Sequence, residues 1–493
     1  MKRLMIIILI ISASTAMFAQ TSADALRYSR ILYQGTARYQ GLGGAFGAIG
    51  ADFSAVQTNP AGLGLFNSSE FTISPSAMME KSMTDFYGES NRDNKFNIGL
   101  GDLGLVIHMA PANKSGSGFK AFNIGIGVNR ENNFNGRTYL EGVNNTSSLL
   151  TSYANILNNQ PGITSQMIAD QYPFDIALAY NTNLVYYDTI HHRFTNDATN
   201  GGVIQRKSIY TSGSINEYDF SFAGNFNNRL YFGATVGVPV IRYYETTRYE
   251  EIKQDPTVPF FRSMTYNQTL QTNGTGINLK IGVIYRPADW VRIGAAIHTP
   301  TYFGNMRDSW NSDMTSVFDS LPKAIYSQSY SQNSPDGFYQ YELTTPFRAI
   351  GSVAFIIGKY GLISAEYEYA DYSQARLGAT GDTSTFSGVN KEIQNKYRAP
   401  LNLRFGTEWC IGNFRVRGGI GYYGSPYKSG INTGEEYTGS IGWGYRGKHA
   451  FVDMAYQFTQ MKSDYYLYDP TLVDPSHNTL NSSTITATLG LRF

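Results

Sequence analysis

The stretch that decides the fold is the last ten residues, Thr484-Ile-Thr-Ala-Thr-Leu-Gly-Leu-Arg-Phe493. Apolar side chains occupy every second position from Ile485 to Phe493, and Thr, Gly or Arg fill the positions between them. Because side chains alternate between the two faces of a β-strand, this pattern predicts a strand with one apolar and one polar face. A strand that runs to a terminal aromatic residue is typical of the closing strand of a bacterial outer-membrane β-barrel. An edge strand of a soluble sandwich is the alternative.

The composition also favours a barrel. Of the 493 residues, 16 % are charged and 14 % are aromatic, whereas a soluble protein carries about 25 % charged residues. The mean hydropathy of −0.28 excludes a helical membrane protein, but a barrel strand needs only about ten alternating residues. The net charge of +1 gives no basic field, so no nucleic-acid partner is expected. The single cysteine, Cys410, excludes an internal disulfide.

The N-terminus has the features of a secretory signal peptide over residues 1–19. Lys2 and Arg3 precede an apolar core of eight residues, and small residues follow up to Ala19. We expect cleavage after Ala19, with cleavage after Ala16 as the alternative. A single transmembrane anchor would need a longer apolar core, and the absence of a nearby cysteine excludes a lipoprotein anchor.

From residue 67 onward, alternation predicts a barrel of about fourteen antiparallel strands, the even number expected of a single-chain bacterial barrel. The strands are predicted near 70–80, 95–109, 119–131, 214–226, 229–246, 272–286, 290–303, 338–357, 360–376, 397–410, 413–427, 436–446, 448–466 and 484–493. Connections after the fourth, sixth, eighth, tenth and twelfth strands are one to three residues long, whereas those after odd-numbered strands mostly exceed a dozen. This regularity fits short periplasmic turns and long extracellular loops.

The same parity predicts which side chains face the lumen. The outward positions are almost free of charge, as a lipid-facing surface requires. The predicted lumen cations are Lys280, Arg292, Arg404, Arg415 and Arg417. Three carboxylates, Glu366, Glu368 and Glu408, share that face, so the lumen is polar and mixed in sign. These cations either bind an anionic ligand or are already neutralised by the carboxylates.

Residues 20–66 do not alternate and are rich in glycine. They contain Gly41-Leu-Gly-Gly-Ala-Phe46, then Ala51-Asp52, then Asn59-Pro60-Ala61-Gly62. A phosphate-binding loop is excluded because no strand precedes the glycines and no Gly-Lys-Ser/Thr occurs. Followed by fourteen strands, this segment resembles the N-terminal part of the FadL/TodX family of outer-membrane transporters. The match is specific over residues 41–63, and only the architecture supports it elsewhere.

The resemblance implies an N-terminal hatch over residues 20–66 that plugs the barrel and includes Asn59, Pro60, Ala61 and Gly62. It implies a monomer in the Gram-negative outer membrane, in contact with lipid and lipopolysaccharide and inserted by the barrel-assembly machinery. The family takes up long-chain fatty acids or aromatic hydrocarbons, which enter the lumen from outside and leave through an opening in the wall. Fatty acids are the leading expected substrate, and no energy-coupling box is visible near residue 20, so transport should be passive. The alternative is a non-transporting barrel that acts in secretion or surface attachment.

The insert at 132–213 is longer than the resemblance leads us to expect. It carries apolar residues at helical spacing, followed by two further apolar patches. The predicted ligand-capture residues are Leu149, Leu150, Tyr153, Ile156, Leu157, Phe174 and Leu178. An apolar loop either packs on itself as a lid or captures a hydrophobic ligand, and both interpretations stay open here.

Other chemistry is weakly indicated. Six histidines without a spaced cluster predict no metal site, and no cofactor is expected. His108 and His298 face the lumen by parity, but a lone lumen histidine is more often a hydrogen-bonded pore residue than part of a catalytic pair. We therefore expect a protein that is not an enzyme.

Overall fold

The computed structural model describes residues 20–110, 118–198, 201–255, 260–319, 327–379 and 385–493. The predicted signal peptide lies outside these ranges. The alternating segments form one closed antiparallel barrel of fourteen strands, in which the first strand pairs with the last. Phe493 completes the closure, because its amide donates to the Ser69 carbonyl and its carbonyl accepts from the Ser69 amide, each at 3.1 Å. The predicted strand number and fold class are confirmed.

We number the barrel strands β1 to β14 and treat collinear pieces as one strand. They are β1 (Glu70–Phe86), β2 (Glu89–Met109), β3 (Phe119–Asn133 and Gly136–Asn144), β4 (Val203–Phe226), β5 (Leu230–Lys253), β6 (Phe260–Ala288), β7 (Val291–His298 and Tyr302–Asp319), β8 (Ser327–Asn333, Gly337–Thr344 and Arg348–Ile357), β9 (Gly361–Ala370 and Arg376–Gly378), β10 (Asn402–Ile411), β11 (Phe414–Tyr423), β12 (Glu436–Arg446), β13 (Ala450–Tyr465) and β14 (Ser476–Arg492). A separate hairpin pairs Tyr186–Asp188 with Arg193–Thr195.

Several strands are longer than predicted. β1 and β2 continue past their predicted ends and meet at the two-residue turn Tyr87-Gly88, where a loop was expected. β4, β5 and β6 extend in the same way over residues predicted to form loops. These extensions have partly polar side chains on both faces, so their sequence loses the alternation although the backbone ladder continues. All the extensions project from one end of the barrel, which we call the loop end. The opposite end, with the short connections, is the turn end.

Six helices accompany the barrel within the described ranges. They are α1 (Ser22–Ser29), α2 (Ala37–Gly41), α3 (Leu149–Asn158), α4 (Ser165–Gln171), α5 (Ile176–Asn181) and α6 (Ser387–Lys396). Short 3₁₀ turns occur at Phe53–Gln57, Pro60–Leu65 and Tyr372–Gln374. No helix within the described ranges is long and apolar enough to cross a membrane.

The facing predicted from parity is confirmed along the strands. On β7, Ile293 and Ile297 are exposed whereas Ala296 and His298 are buried. Exposed Ile, Val, Leu, Phe, Trp and Tyr side chains recur on the outer face of every strand that forms the wall. A soluble monomer rarely exposes so continuous an apolar surface, and a lipid-facing barrel requires it.

Candidate functional site

Residues 20–66 lie inside the barrel, where we call them the plug. Glycines on the inner face of the strands make room for it, because a Cβ atom at each position would collide with a plug residue. They are Gly104, Gly127, Gly233, Gly282, Gly294, Gly406 and Gly419. These glycines belong to seven different strands, from β2 to β11. The plug is therefore fitted to the wall around most of its circumference.

Asn59 joins the plug to itself and to the wall. Its side-chain oxygen accepts from the Ala61 amide at 3.1 Å, which caps the 3₁₀ turn that begins at Pro60. Its amide nitrogen donates to the Gly47 carbonyl at 2.6 Å and to the Val283 carbonyl of β6 at 3.1 Å. The buried side chain of Asn59 thus connects a turn, a second loop of the plug and a barrel strand.

The rest of the motif is packed against Asn59. Ala61 is buried, and the Gly62 carbonyl accepts from the Ala51 amide at 3.0 Å. Ala51 has φ 54°, a left-handed conformation that is strained for alanine. Next to it, burial raises the pKa of the Asp52 carboxyl above its ordinary range, although Thr36 and Ser54 donate hydrogen bonds to it.

Charged wall residues hold the plug as well. Glu366 accepts from the Gly47 amide at 2.5 Å, and Arg292 donates to the Ile49 carbonyl at 2.7 Å. Arg38 of the plug pairs with Glu408 at 3.0 Å. His298 lies within hydrogen-bond distance, 3.1 Å, of the Thr58 carbonyl. The plug is therefore anchored by polar bonds as well as by packing.

Three of the five predicted lumen cations pair with carboxylates. Arg404 lies 2.7 Å from Glu366 and 2.8 Å from Glu368, and all three are buried. Arg417 lies 2.6 Å from Glu408. It also pairs with Asp453 of β13 at 2.7 Å.

Lys280 pairs with Glu217, and Asp219 lies 3.8 Å from its ammonium. The other two cations have only carbonyl partners within the described residues. Arg292 donates to Ile49, as given above, and Arg415 donates to the carbonyls of its own turn at the turn end. Arg292 lines a cavity of about 320 Å³ at the turn end, together with Arg38 and Lys359. Binding of an anion by the lumen cations stays a prediction.

The predicted capture residues mostly form a core. Helices α3, α4 and α5 cover the loop end and pack against β5, β6 and β7. Five of the seven residues are buried in this cluster, namely Leu149, Leu150, Tyr153, Leu157 and Leu178. Ile156 is exposed, and Phe174 is half-buried. Most of the apolar insert residues thus pack on one another and on the strands, and ligand capture by them stays a prediction.

A cavity of about 450 Å³ nevertheless remains beneath the helices, and we call it the cap cavity. Leu149, Tyr153 and Phe174 line it from the insert. The sequence did not point to the other lining residues, which include Tyr249, Tyr266, Gln268 and Trp310 from the extended strands, and Lys207 and Tyr468. Those on β5, β6 and β7 lie in strand extensions with polar side chains on both faces, so no alternation marked them in the sequence.

The cap cavity is acidic. Three carboxyl groups line it, those of Asp175, Glu245 and Asp469, against the single ammonium of Lys207. Asp175 caps α5 by accepting from the Ile176 amide at 2.6 Å. Burial raises the pKa of its carboxyl to about 6, because the charged form is poorly solvated there.

Other chemistry finds little support among the described residues, which hold no group of three or more His, Cys, Asp or Glu placed to bind a metal ion. The ring of His108 lies 2.8 Å from the Asn123 side chain. His191 contacts Asp188, and both lie on the exposed hairpin outside the barrel. Cys410 is a free thiol near the turn end.

Comparisons with known proteins identify the fold. No family model and no curated protein matches the sequence. Among solved structures, a Pseudomonas aeruginosa FadL homologue superposes with a TM-score of 0.55 at 13 % identity, over 94 % of this chain and all of that one. The Pseudomonas putida toluene transporter TodX superposes with a TM-score of 0.52 at 10 % identity, over 93 % of this chain and 99 % of that one. At such low identity the likeness shows that this chain has their fold.

Proposed function

We propose that this protein is a passive outer-membrane transporter of hydrophobic or amphipathic small molecules. The observation that carries the proposal is a lipid-facing barrel closed by a fitted plug, in the fold of proteins that include a toluene transporter. A water-filled pore does not favour an apolar solute, and lipopolysaccharide hinders its passage. A plugged barrel that releases its solute through the wall avoids both obstacles. In this proposal the loop end faces outside and the turn end faces the periplasm.

We place the exit at a break in β7. The strand stops at His298 and resumes at Tyr302, and Thr301 there bonds to Thr345 of β8 through a side-chain hydroxyl as well as the backbone. Prolines, which donate no ladder bond, occur within the break at Pro300 and beside Thr345 at Pro346. A small cavity lies directly behind the break, lined by Tyr28 of the plug and by Lys280, His298, Thr299 and Phe303. The ladder of backbone hydrogen bonds is interrupted at this level of the wall, and a cavity adjoins it, which is why we propose the exit here.

A reversible cross-link tests both the transport and the exit. In a Cys410→Ser background, Thr301→Cys with Thr345→Cys should join β7 to β8 across the break. Purified protein in liposomes whose outer leaflet contains lipopolysaccharide should then lose, on oxidation, the uptake of radiolabelled oleate or toluene that exceeds uptake by protein-free liposomes, and regain it on reduction. A matched control is Thr438→Cys with Thr459→Cys, which joins directly paired residues of β12 and β13. Normal uptake by the oxidised pair would exclude this exit, whereas no uptake by the unmodified protein would overturn the transport function.

Long-chain fatty acids are the finer proposal for the substrate. A carboxylate that leaves water needs a charge-assisted partner. Arg292 is the best placed of the five cations, because among the described residues its hydrogen-bond partner is a backbone carbonyl, that of Ile49, and because it lines the cavity at the turn end. Arg292→Ala should therefore slow palmitate transport at least several-fold more than transport of hexadecanol. Arg404→Ala, which breaks an ion cluster, should affect both alike, and equal losses for Arg292→Ala would remove fatty acids as the preferred class.

One observation favours a second function, a scaffold for secretion or surface attachment. Buried ion pairs around Arg404 and Arg417 lie on the inner face of the barrel beside the plug. A non-transporting barrel has no need of an apolar path and can be filled in this way. The liposome assay separates the two functions, because a scaffold adds no uptake of oleate or toluene, in any variant, to that of protein-free liposomes.

A further inference from the structure

The floor of the cap cavity is an ordered grid of side chains on three neighbouring strands. The register of β5, β6 and β7 places residues directly opposite one another in three rows. The rows are Glu245–Leu270–Trp310, Thr247–Gln268–Ser312 and Tyr249–Tyr266–Met314. Directly opposed residues have Cβ atoms about 5 Å apart. A completely polar row therefore lies between two rows that contain three aromatic rings.

The polar row is already oriented by hydrogen bonds. Thr247 donates to the Gln268 side-chain oxygen at 3.2 Å, and Gln268 donates to the Tyr266 hydroxyl at 2.9 Å. Tyr266 in turn donates to the Phe174 carbonyl at 2.8 Å. This series of hydrogen bonds uses one of the two amide hydrogens of Gln268 and leaves the other available. The hydroxyls of Thr247 and Ser312 keep free lone pairs.

The walls combine aromatic faces with charged groups. Phe174 and Trp310 lie with ring centroids 5.4 Å apart at 55°, which forms an open aromatic corner. Tyr153 and Tyr468 add two further rings. Lys207 supplies donors, and Asp175 supplies carboxylate oxygens.

This lining does not suit the solutes considered above. A hydrocarbon would cover the polar row and leave its remaining donors and acceptors without partners, which costs binding energy for each group. A fatty-acid anion would meet three carboxyl groups and one ammonium. A sugar instead offers hydroxyl groups that both donate and accept, and apolar C–H faces that stack on aromatic rings. A volume of about 450 Å³ suits one or two sugar rings.

We propose that the cap cavity binds a neutral carbohydrate of one or two sugar units, with Trp310 and Phe174 stacking on its C–H faces and Gln268 bonding to its hydroxyls. This function is separate from transport through the barrel. It gives the loop end of the protein an attachment or sensing role towards glycans at the cell surface. Gln268 is the residue on which specificity should depend most, because it stands at the centre of the grid.

Trp310 provides a direct reporter. It is one of four tryptophans, and the other three, Trp290, Trp409 and Trp443, are exposed on the outer wall. Replacing those three with Phe leaves Trp310 as the only fluorophore of this type. Titration with maltose, cellobiose and lactose should give a saturable fluorescence change for at least one of them, and a neutral-glycan array probed with the purified barrel extends the search.

Two further variants show where the sugar binds. Gln268→Ala should weaken its affinity at least tenfold. Gln271→Ala, three residues along the same strand and on its outer face, is the matched control and should change nothing. Liposome uptake of oleate and toluene should be normal in both variants. The sugar-binding proposal and the transport proposal can therefore fail independently of each other. A silent array together with unresponsive Trp310 fluorescence would overturn the proposal, as would a saturable response to octanoate or toluene alone.

Discussion

Removing the side chain of Asn59 should loosen the plug and leave the barrel folded. Asn59→Ala deletes the cap of the Pro60 turn, worth about 1 kcal/mol. It also removes the side-chain amide that donates a hydrogen bond to the Gly47 carbonyl and another to the Val283 carbonyl. A buried polar group that loses its partner costs about 1–3 kcal/mol. Because Val283 also lies in a strand ladder, we take the lower end of that range for each carbonyl. The sum is about 3 kcal/mol.

That loss falls on the plug because the strand ladder does not pass through Asn59. A cost of about 3 kcal/mol raises the population of the locally open plug roughly 100-fold. Amide hydrogen exchange over residues 41–66 should therefore accelerate by about that factor, whereas amides of β10 to β13 should keep their protection. Asn59→Ser, which keeps a capping oxygen and loses both donations to carbonyls, should give an intermediate rate.

A second route should give the same result without touching Asn59. A Cβ at Gly282 would occupy the position of the Asn59 side-chain oxygen, so Gly282→Ala should also accelerate exchange in the plug. Gly351→Ala is the matched control, because a Cβ there has open space around it. Unchanged exchange in both Asn59→Ala and Gly282→Ala would refute the role of this residue as the plug's anchor. Loss of protection throughout the barrel would refute its confinement to the plug.

Three further predictions concern the closure, the plug turn and the helices at the loop end. Deletion of Phe493 should reduce the heat-modifiable, folded form at least several-fold, because it removes the two bonds to Ser69 that complete the barrel; wild-type levels would contradict this. Ala51→Gly should stabilise the plug by about 1 kcal/mol by relieving a positive φ, seen as slower exchange there, while Ala48→Gly at a buried position should not. For Asp175, a folded-state pKa of about 6 means that protonation stabilises the folded helices, so their stability should be highest below about pH 4 and fall as the pH rises through 6. Exchange of α5, corrected for the intrinsic rate, should show this trend, and Asp175→Asn should abolish it.

The sequence predicted the barrel well because the membrane imposes one rule on every strand. Lipid requires an apolar outer side chain at alternate positions, so Ile293 and Ile297, or Leu401 and Phe405, mark both the strand and its facing. Where a strand extends beyond the lipid, its outer side chains no longer need to be apolar. The first residues of β2, from Glu89 onward, continue the ladder with polar side chains on both faces, and the period-two pattern disappears. The boundaries of the strand extensions were therefore not predictable from hydropathy.

The candidate site could be predicted only in part, for a related reason. The segment that contains Asn59 was found because its residues match a known motif, but the partners of Asn59, Gly47 and Val283, are not deducible from it. The apolar residues of the insert were found from helical spacing, and that spacing marks the buried side of α3. The groups that line the cap cavity, such as Gln268 and Trp310, lie on strand extensions that had been predicted as loops. These residues lie side by side only because of the register of three neighbouring strands, and no local sequence pattern specifies that register.

The glycines of the wall link the two parts of the molecule. An inward Gly282 or Gly419 weakens its own strand, since glycine lowers strand stability and packs no side chain. The cost is offset only when the plug fills the space, as Asn59 does at Gly282 and Gly43 does at Gly419. An empty barrel with these glycines would have a thinner and less stable wall than one with ordinary residues. The inner face of the barrel is therefore adapted to a resident plug, and opening by small local movements follows more naturally from this structure than expulsion of the whole plug.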